Sequence, residues 1–450
     1  MMIKTIAAVF SLALGVTLPA IAQAQAAPPK TAFVKLGTGV PAVLYEPANP
    51  GDKSAIAVFV MHAGGDYLQF SACTELSQRG YRVLCANNST GKSGSGSDIG
   101  IDKMLIEAKL GVDYLRNRGD VRKVVLLGHS GGGALMAAYQ NIAENGLKAC
   151  QGPEKILKCP DSVAGLTPAD GLMLVDANYG LGGMVLFSLD PAVVDEASGQ
   201  AFNPDFDLFD PKNGFDAEGS HYSRDFVASF QKAVGQRNTR LIDAALARLA
   251  AIESGHGRFA DDEPFTVPGA NYSAPNNKLY AQDISLLSHT SKPRPLLHKD
   301  GSSTTEIVRS VRVPQNTALM TRSFREGALR TTVKTFLSTY SVRVGPDFSY
   351  DADSIRGVDW QSSYTTPIGS VQKISAPLLA MGMTAGWEYL AAEMIYENAA
   401  SADKSIAFVE GAGHLYTTCK ECEKTEGAFG DTLKTTYDHI DRWLAAPGRF

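Results

Sequence analysis

Residues 121–139 read VRKVVLLGHSGGGALMAAY: an apolar, valine-rich run, then Gly-x-Ser-x-Gly, then a helical pattern, with no linker between them. A strand that passes straight into a helix must turn within a few residues, and glycines on either side of the apex let it do so without backbone collisions. Gly128 and Gly132 therefore mark a sharp elbow with Ser130 at its tip. Strain at such a turn pushes the serine hydroxyl out of the sheet. The amide of Gly131 then faces the helix start, where unpaired N–H groups and the helix dipole favour a developing negative charge.

The surrounding pattern agrees with an α/β fold. AIAVFVMHAGG (55–65), YRVLCANN (81–88) and GLMLVDANYG (171–180) are short apolar runs that end in turn residues, and amphipathic stretches such as DKMLIEAKLGVDYLRNRG (102–119) separate them. Strands and helices alternating at this spacing predict a mostly parallel sheet flanked by helices, with right-handed crossovers. The rhythm stops after residue 180 and resumes with APLLAMGM (376–383), SIAFVEGAG (405–413) and a closing helix. The expected organisation is a core in two parts, 27–180 and 372–450, with residues 181–371 inserted as a large, mainly helical cap. Within the insertion, Phe226, Phe230, Val234, Leu241, Ala245, Leu249 and Ile252 recur at helical spacing, a second helix is expected within 322–341, and the stretch around Pro293, Pro295 and His298 reads as loop.

Two further segments stand where acyl-transfer chemistry needs them. His62-Ala63-Gly64-Gly65 ends the first long strand, so the amide of Gly64 or Gly65 is a candidate second donor to an oxyanion, beside that of Gly131. Gly411-Ala412-Gly413-His414 follows the last strand and would carry an imidazole over the carboxyl edge of the sheet, making His414 the candidate general base for Ser130.

With GHSGG, HAGG and VEGAGH in this order, the chain resembles the α/β-hydrolase superfamily over roughly 55–178 and 376–444. The resemblance implies a nucleophilic serine, an acid and a histidine in that chain order, with a secreted esterase or lipase-like member as the expected type. It departs from the family at the acid. Where members usually carry Asp after the strand matching PLLAMGM, this chain reads Thr384-Ala385-Gly386-Trp387-Glu388. Two carboxylates remain as candidates: Asp176, which ends the strand LMLVD, and Glu388. Asp176 has the alternative of capping its own turn, and Glu388 that of a charge at a helix start. Tyr67, Tyr179 and Trp387 follow strand ends and are candidates to line the substrate pocket, as is Tyr416, with packing in the core as the alternative.

Compartment is read from the first residues and the cysteines. Lys4, the apolar run IAAVFSLALGVTLPAIA and the small residues Ala22, Ala24 and Ala26 have the order of a secretory signal, so residues 1–26 are expected to be removed, leaving no stable membrane anchor and a secreted or periplasmic protein. Six cysteines admit fifteen pairings, and closeness in the chain favours Cys73 with Cys85, Cys150 with Cys159 and Cys419 with Cys422. Lys+Arg 42 against Asp+Glu 47 leaves a net charge of −5, with no basic surplus to hold nucleic acid. The histidines at 221, 256, 289 and 298 lack the spacing of a metal motif, and neither metal nor cofactor is expected.

The expected function is hydrolysis of a small-molecule or oligomeric carboxylic ester through an acyl-enzyme. The alternatives are a lactone, amide or carbon–carbon bond hydrolase, or a non-catalytic binding protein on the same scaffold.

Overall fold

The computed structural model describes residues 27–91, 100–273, 277–315 and 327–450; the expected secretion signal lies outside the described residues. The strands are β1 (Lys30–Gly37), β2 (Val40–Glu46), β3 (Ile56–His62), β4 (Arg82–Asn87), β5 (Lys123–Ser130), β6 (Gly171–Ala177), β7 (Pro264–Pro268), β8 (His289–Leu297), β9 (Ser303–Arg309), β10 (Ala328–Thr332), β11 (Arg343–Tyr350), β12 (Ile355–Asp359), β13 (Leu378–Met383) and β14 (Lys404–Val409). The helices are α1 (Ser71–Gln78), α2 (Ile101–Arg116), α3 (Gly131–Asn145), α4 (Leu181–Leu186), α5 (Arg224–Glu253), α6 (Leu279–Gln282), α7 (Val333–Thr339), α8 (Pro367–Ser370), α9 (Ala391–Asn398) and α10 (Thr432–Leu444).

Ten strands form one sheet in the order β1-β2-β4-β3-β5-β6-β13-β14-β8-β9, parallel from β4 to β8 and antiparallel at both ends. Side chains of a strand alternate between faces, so a sheet covered on both sides needs apolar residues at every position. Phe59, Leu126, Leu172, Leu174 and Leu378 enter one core; their neighbours Val58, Val60, Leu127, Met173, Val175 and Leu379 enter the other. The first core is larger because cap residues, among them Phe230, Val234, Leu241, Tyr280 and Phe348, continue it without a break.

The expected long helix is α5, thirty residues capped by Ser223, whose hydroxyl accepts from the amide of Phe226 at 3.1 Å. Its buried face carries Phe230, Val234, Leu241, Ala245, Leu249 and Ile252. The second expected helix is the shorter α7, entered from β10. The insertion also holds six strands among the described residues. The loop expected around Pro293 and Pro295 is β8, which with β9 extends the central sheet from inside the segment expected to be all cap. Proline cannot donate to a ladder, which is why its presence suggests loop. Here only Leu296 and Leu297 pair with β14, and both prolines lie before that contact.

The three expected cysteine pairs are at bonding distance, and Cys73–Cys85 ties α1 to β4. That bond closes a separation of 12 residues, for which chain-entropy loss in the unfolded state predicts a stabilisation of about 3 kcal/mol. Replacing both cysteines by alanine should lower the urea midpoint accordingly; an unchanged midpoint would show the bond to be dispensable.

Candidate active site

His62, Ser130, Asp176 and the loops that follow β13 and β14 all lie at the carboxyl edge of the sheet, because parallel strands end there together. Ser130 closes β5 and is the residue before α3, with φ 53° and ψ −128°. That left-handed conformation is strained for any residue with a Cβ, and the surrounding glycines are what permit it. A Cβ on Gly128 would stand 2.7 Å from the Gly132 oxygen, and one on Gly133 would stand 2.3 Å from Ala177 Cβ. The last glycine of GHSGGG, Gly133, is thus required by the contact with β6.

Asp176, with φ 47°, is strained in the same way as Ser130. Its Oδ2 lies 2.6 Å from His414 Nδ1, and its Oδ1 accepts from the amide of Met383 at 3.0 Å. Glu388 Oε2 stands 3.8 Å from the same His414 nitrogen, beyond hydrogen-bond reach. Of the two carboxylates left open by the sequence, Asp176 is the one that holds the imidazole. Burial disfavours a charge on His414, but the hydrogen bond to Asp176 and the charges of Glu388 and Asp176 outweigh it and raise its pKa to about 9.

His129, inside the elbow, fixes the loop that carries His414. A carbonyl can only accept, so His129 Nε2 donates to the His414 oxygen at 2.7 Å, and Nδ1 accepts from Tyr67 Oη at 2.5 Å. Burial, then the charge of His414, keeps this ring neutral, well below the ordinary histidine range. The donor atoms of His129, Asp176 and His414 lie within 4.8 Å of one another. Both nitrogens of His129 and Nδ1 of His414 are engaged in these hydrogen bonds, so the set suits a hydrogen-bond relay better than a metal ion.

A cavity of about 440 Å³ opens over Ser130 and is lined by His62, Ala63, Gly64, Gly131, Asn178, Leu181, Met184, Tyr272, Ser273, Trp387, Glu388 and His414. Four expectations change here. Gly65 does not line the cavity, whereas Gly64 does; both amides donate to His62 Nδ1, at 2.5 Å and 3.0 Å respectively. Tyr67 stacks on His62 with ring centres 4.5 Å apart and holds His129, beneath the cavity rather than in its wall. Tyr179 is fully buried and packs edge-on against Phe187. Tyr416 likewise lies in the core, and Trp387 alone of the four aromatics faces the cavity. Position after a strand end gives a residue's neighbourhood but not the direction of its side chain.

The remaining walls escaped sequence reasoning. Leu181 and Met184 have a local signal, apolar residues three apart in a helix directly after the Asp176 strand. Tyr272 and Ser273 come from the cap and have none. Lys278, completely buried, stands with Nζ 4.7 Å from the Trp387 ring centre, and burial lowers its pKa to about 7.

No protein-family model matches the chain, and no curated protein does. Among solved structures it is similar to brefeldin A esterase, a bacterial homologue of human hormone sensitive lipase, with TM-score 0.40 and 12% identity over 96% of this chain and 80% of that one. An α/β hydrolase, GrgF, from Penicillium sp. sh18 gives TM-score 0.39 at 12% identity over 93% and 98% of the two chains. A soluble variant of monoglyceride lipase from Saccharomyces cerevisiae gives 0.38 at 12% over 95% and 98%. Likeness of this order carries no argument about activity, and the reading below rests on the chain's own strand order and site.

Proposed function

We propose that this chain, which has the α/β-hydrolase fold, is a serine hydrolase of carboxylic esters. The observation that carries the reading is the convergence of Ser130, His414 and the Asp176–His414 hydrogen bond on one cavity. Ser130 Oγ attacks the ester carbonyl carbon while His414 Nε2 takes its proton, and Asp176 holds Nδ1–H and stabilises the imidazolium. The amide of Gly131 receives the oxyanion, joined by that of Gly64 when it turns from His62 Nδ1 toward the cavity. Collapse of the tetrahedral intermediate returns the proton to the leaving alcohol, and water, deprotonated by the same imidazole, releases the acid from Ser130. Leu181, Met184, Tyr272 and Trp387 give the cavity an apolar and aromatic wall suited to an apolar acyl or alcohol group. Export from the cytosol belongs to the same proposal; it is supported by the signal-like first residues and by three cysteine pairs, since such bonds persist in oxidising compartments.

A fluorophosphonate probe followed by peptide mapping tests the reading. Labelling at Ser130 is the expected result, and a folded protein that takes no label would instead be a binding protein on this scaffold. The raised pKa of His414 adds a second expectation. The base works only when neutral, so kcat/KM for an uncharged ester should climb with pH and level off near pH 9. A profile already flat above an ordinary histidine pKa of about 6.5 would contradict it.

A further inference from the structure

The reaction as drawn leaves Glu388 without a part. Its side chain is 2% exposed, Oε2 has no hydrogen-bond partner among the described residues, and it belongs to the cavity wall. A buried carboxylate with an oxygen that accepts no hydrogen bond is unfavourable, so its presence needs a cause. Orientation of the imidazole is not that cause, because Asp176 already takes the Nδ1 proton at 2.6 Å. At 3.8 Å from Nδ1, Glu388 can act on the ring only through its charge.

We propose, on the hydrolase reading above, that Glu388 is a positioning residue for charge: acting through His414, its carboxylate stabilises the imidazolium formed when Ser130 gives up its proton. The groups around the ring support this. Asp176 faces it from the end of β6 and Glu388 from the loop after β13; from β5 comes His129, its ring centre 4.6 Å away and the ring uncharged. Lys278 acts on Glu388 from the cap, and the phenols of Tyr67, Tyr179 and Tyr280 also feel the Glu388 charge. With Glu388 ionised beside Asp176, and with burial lowering the Lys278 pKa to about 7, the cluster is net negative where His414 is neutral, and a proton on His414 offsets part of that charge. Proton transfer from Ser130 to Nε2 therefore lowers the negative charge of the buried cluster. Burial, with Asp176 adding to it and His414 and Lys278 opposing, holds the Glu388 pKa at about 7, so this charge appears in the working range of the base.

The test is the proton affinity of His414 itself. In full-length Ser130→Ala protein labelled with ¹³C-histidine, with the His414 signal assigned by its loss in His414→Gln, the titration midpoint should fall by about one pH unit or more on adding Glu388→Gln. Glu388→Asp, which keeps the charge on a shorter arm, should give an intermediate midpoint and supplies the answer if the glutamine variant does not fold. In the chain with Ser130 intact, the acid limb of kcat/KM should move down in pH by the same amount. A folded Glu388 variant with an unshifted midpoint and limb overturns the proposal, and a uniform loss of activity without a shift assigns Glu388 a purely structural role. Failure of the unsubstituted chain to hydrolyse any ester would sink the hydrolase reading instead, a result distinct from an unshifted midpoint.

Discussion

Ser130→Ala should lower kcat for ester hydrolysis by roughly 10⁴- to 10⁶-fold and abolish fluorophosphonate labelling, while leaving the fold intact. The loss is large because the covalent route disappears, and whatever remains comes from the oxyanion donors and binding acting on water. Stability should change little. Alanine retains the Cβ that the turn already accommodates at φ 53°, and among the described residues the Ser130 hydroxyl makes no capping hydrogen bond to α3. The measurement is kcat on a chromogenic short-chain ester beside the thermal midpoint of both proteins. Activity retained within tenfold, with unchanged stability, would remove Ser130 from the mechanism.

Asp176→Asn should come next, with a fall in kcat of about 10⁴-fold. Asparagine fits the space and can still accept from the amide of Met383. What it loses is the charge, and its amide can turn its NH₂ toward Nδ1 and favour the wrong tautomer of His414. The same change removes the hydrogen bond and one of the two charges that raise the His414 pKa, so the residual activity should persist to lower pH than in the parent. A drop of less than about tenfold would mean that Glu388 can rotate to take over Nδ1, and the acid would have to be reassigned.

Much of the site was legible because it is local. The elbow, the glycines at 64 and 65 and the late histidine each follow a recognisable apolar strand, and in a parallel sheet strand ends are bound to meet. The acid could be narrowed only to Asp176 or Glu388, because the choice depends on β6 lying directly beside β13, a pairing between residues about two hundred positions apart. Tyr67 and Tyr179 lie in the neighbourhood that their strand ends predict but do not line the cavity. Their directions are set by His129 and Phe187, partners that no local pattern names. β8 was obscured by its prolines, which are harmless where the strand pairs with β14 through only two residues. Tyr272, Ser273 and Lys278 reach the site from a cap whose path has no repeating period to follow.

The return of β8 and β9 to the central sheet bears on how this protein can be re-engineered. In a hydrolase whose lid leaves the core once and rejoins it once, specificity can be transplanted by exchanging a single block between two cut points. Here the insertion is anchored midway by its own strands, so there are two exchangeable blocks, residues 181–288 and 310–371, with the hairpin between them belonging to the scaffold. A one-piece swap of 181–371 would strip the far edge of the sheet and expose β14 as a new unpaired strand, a template for self-association. Chimeras that keep 289–309 in place and replace the flanking blocks separately should stay monodisperse where the one-piece swap aggregates.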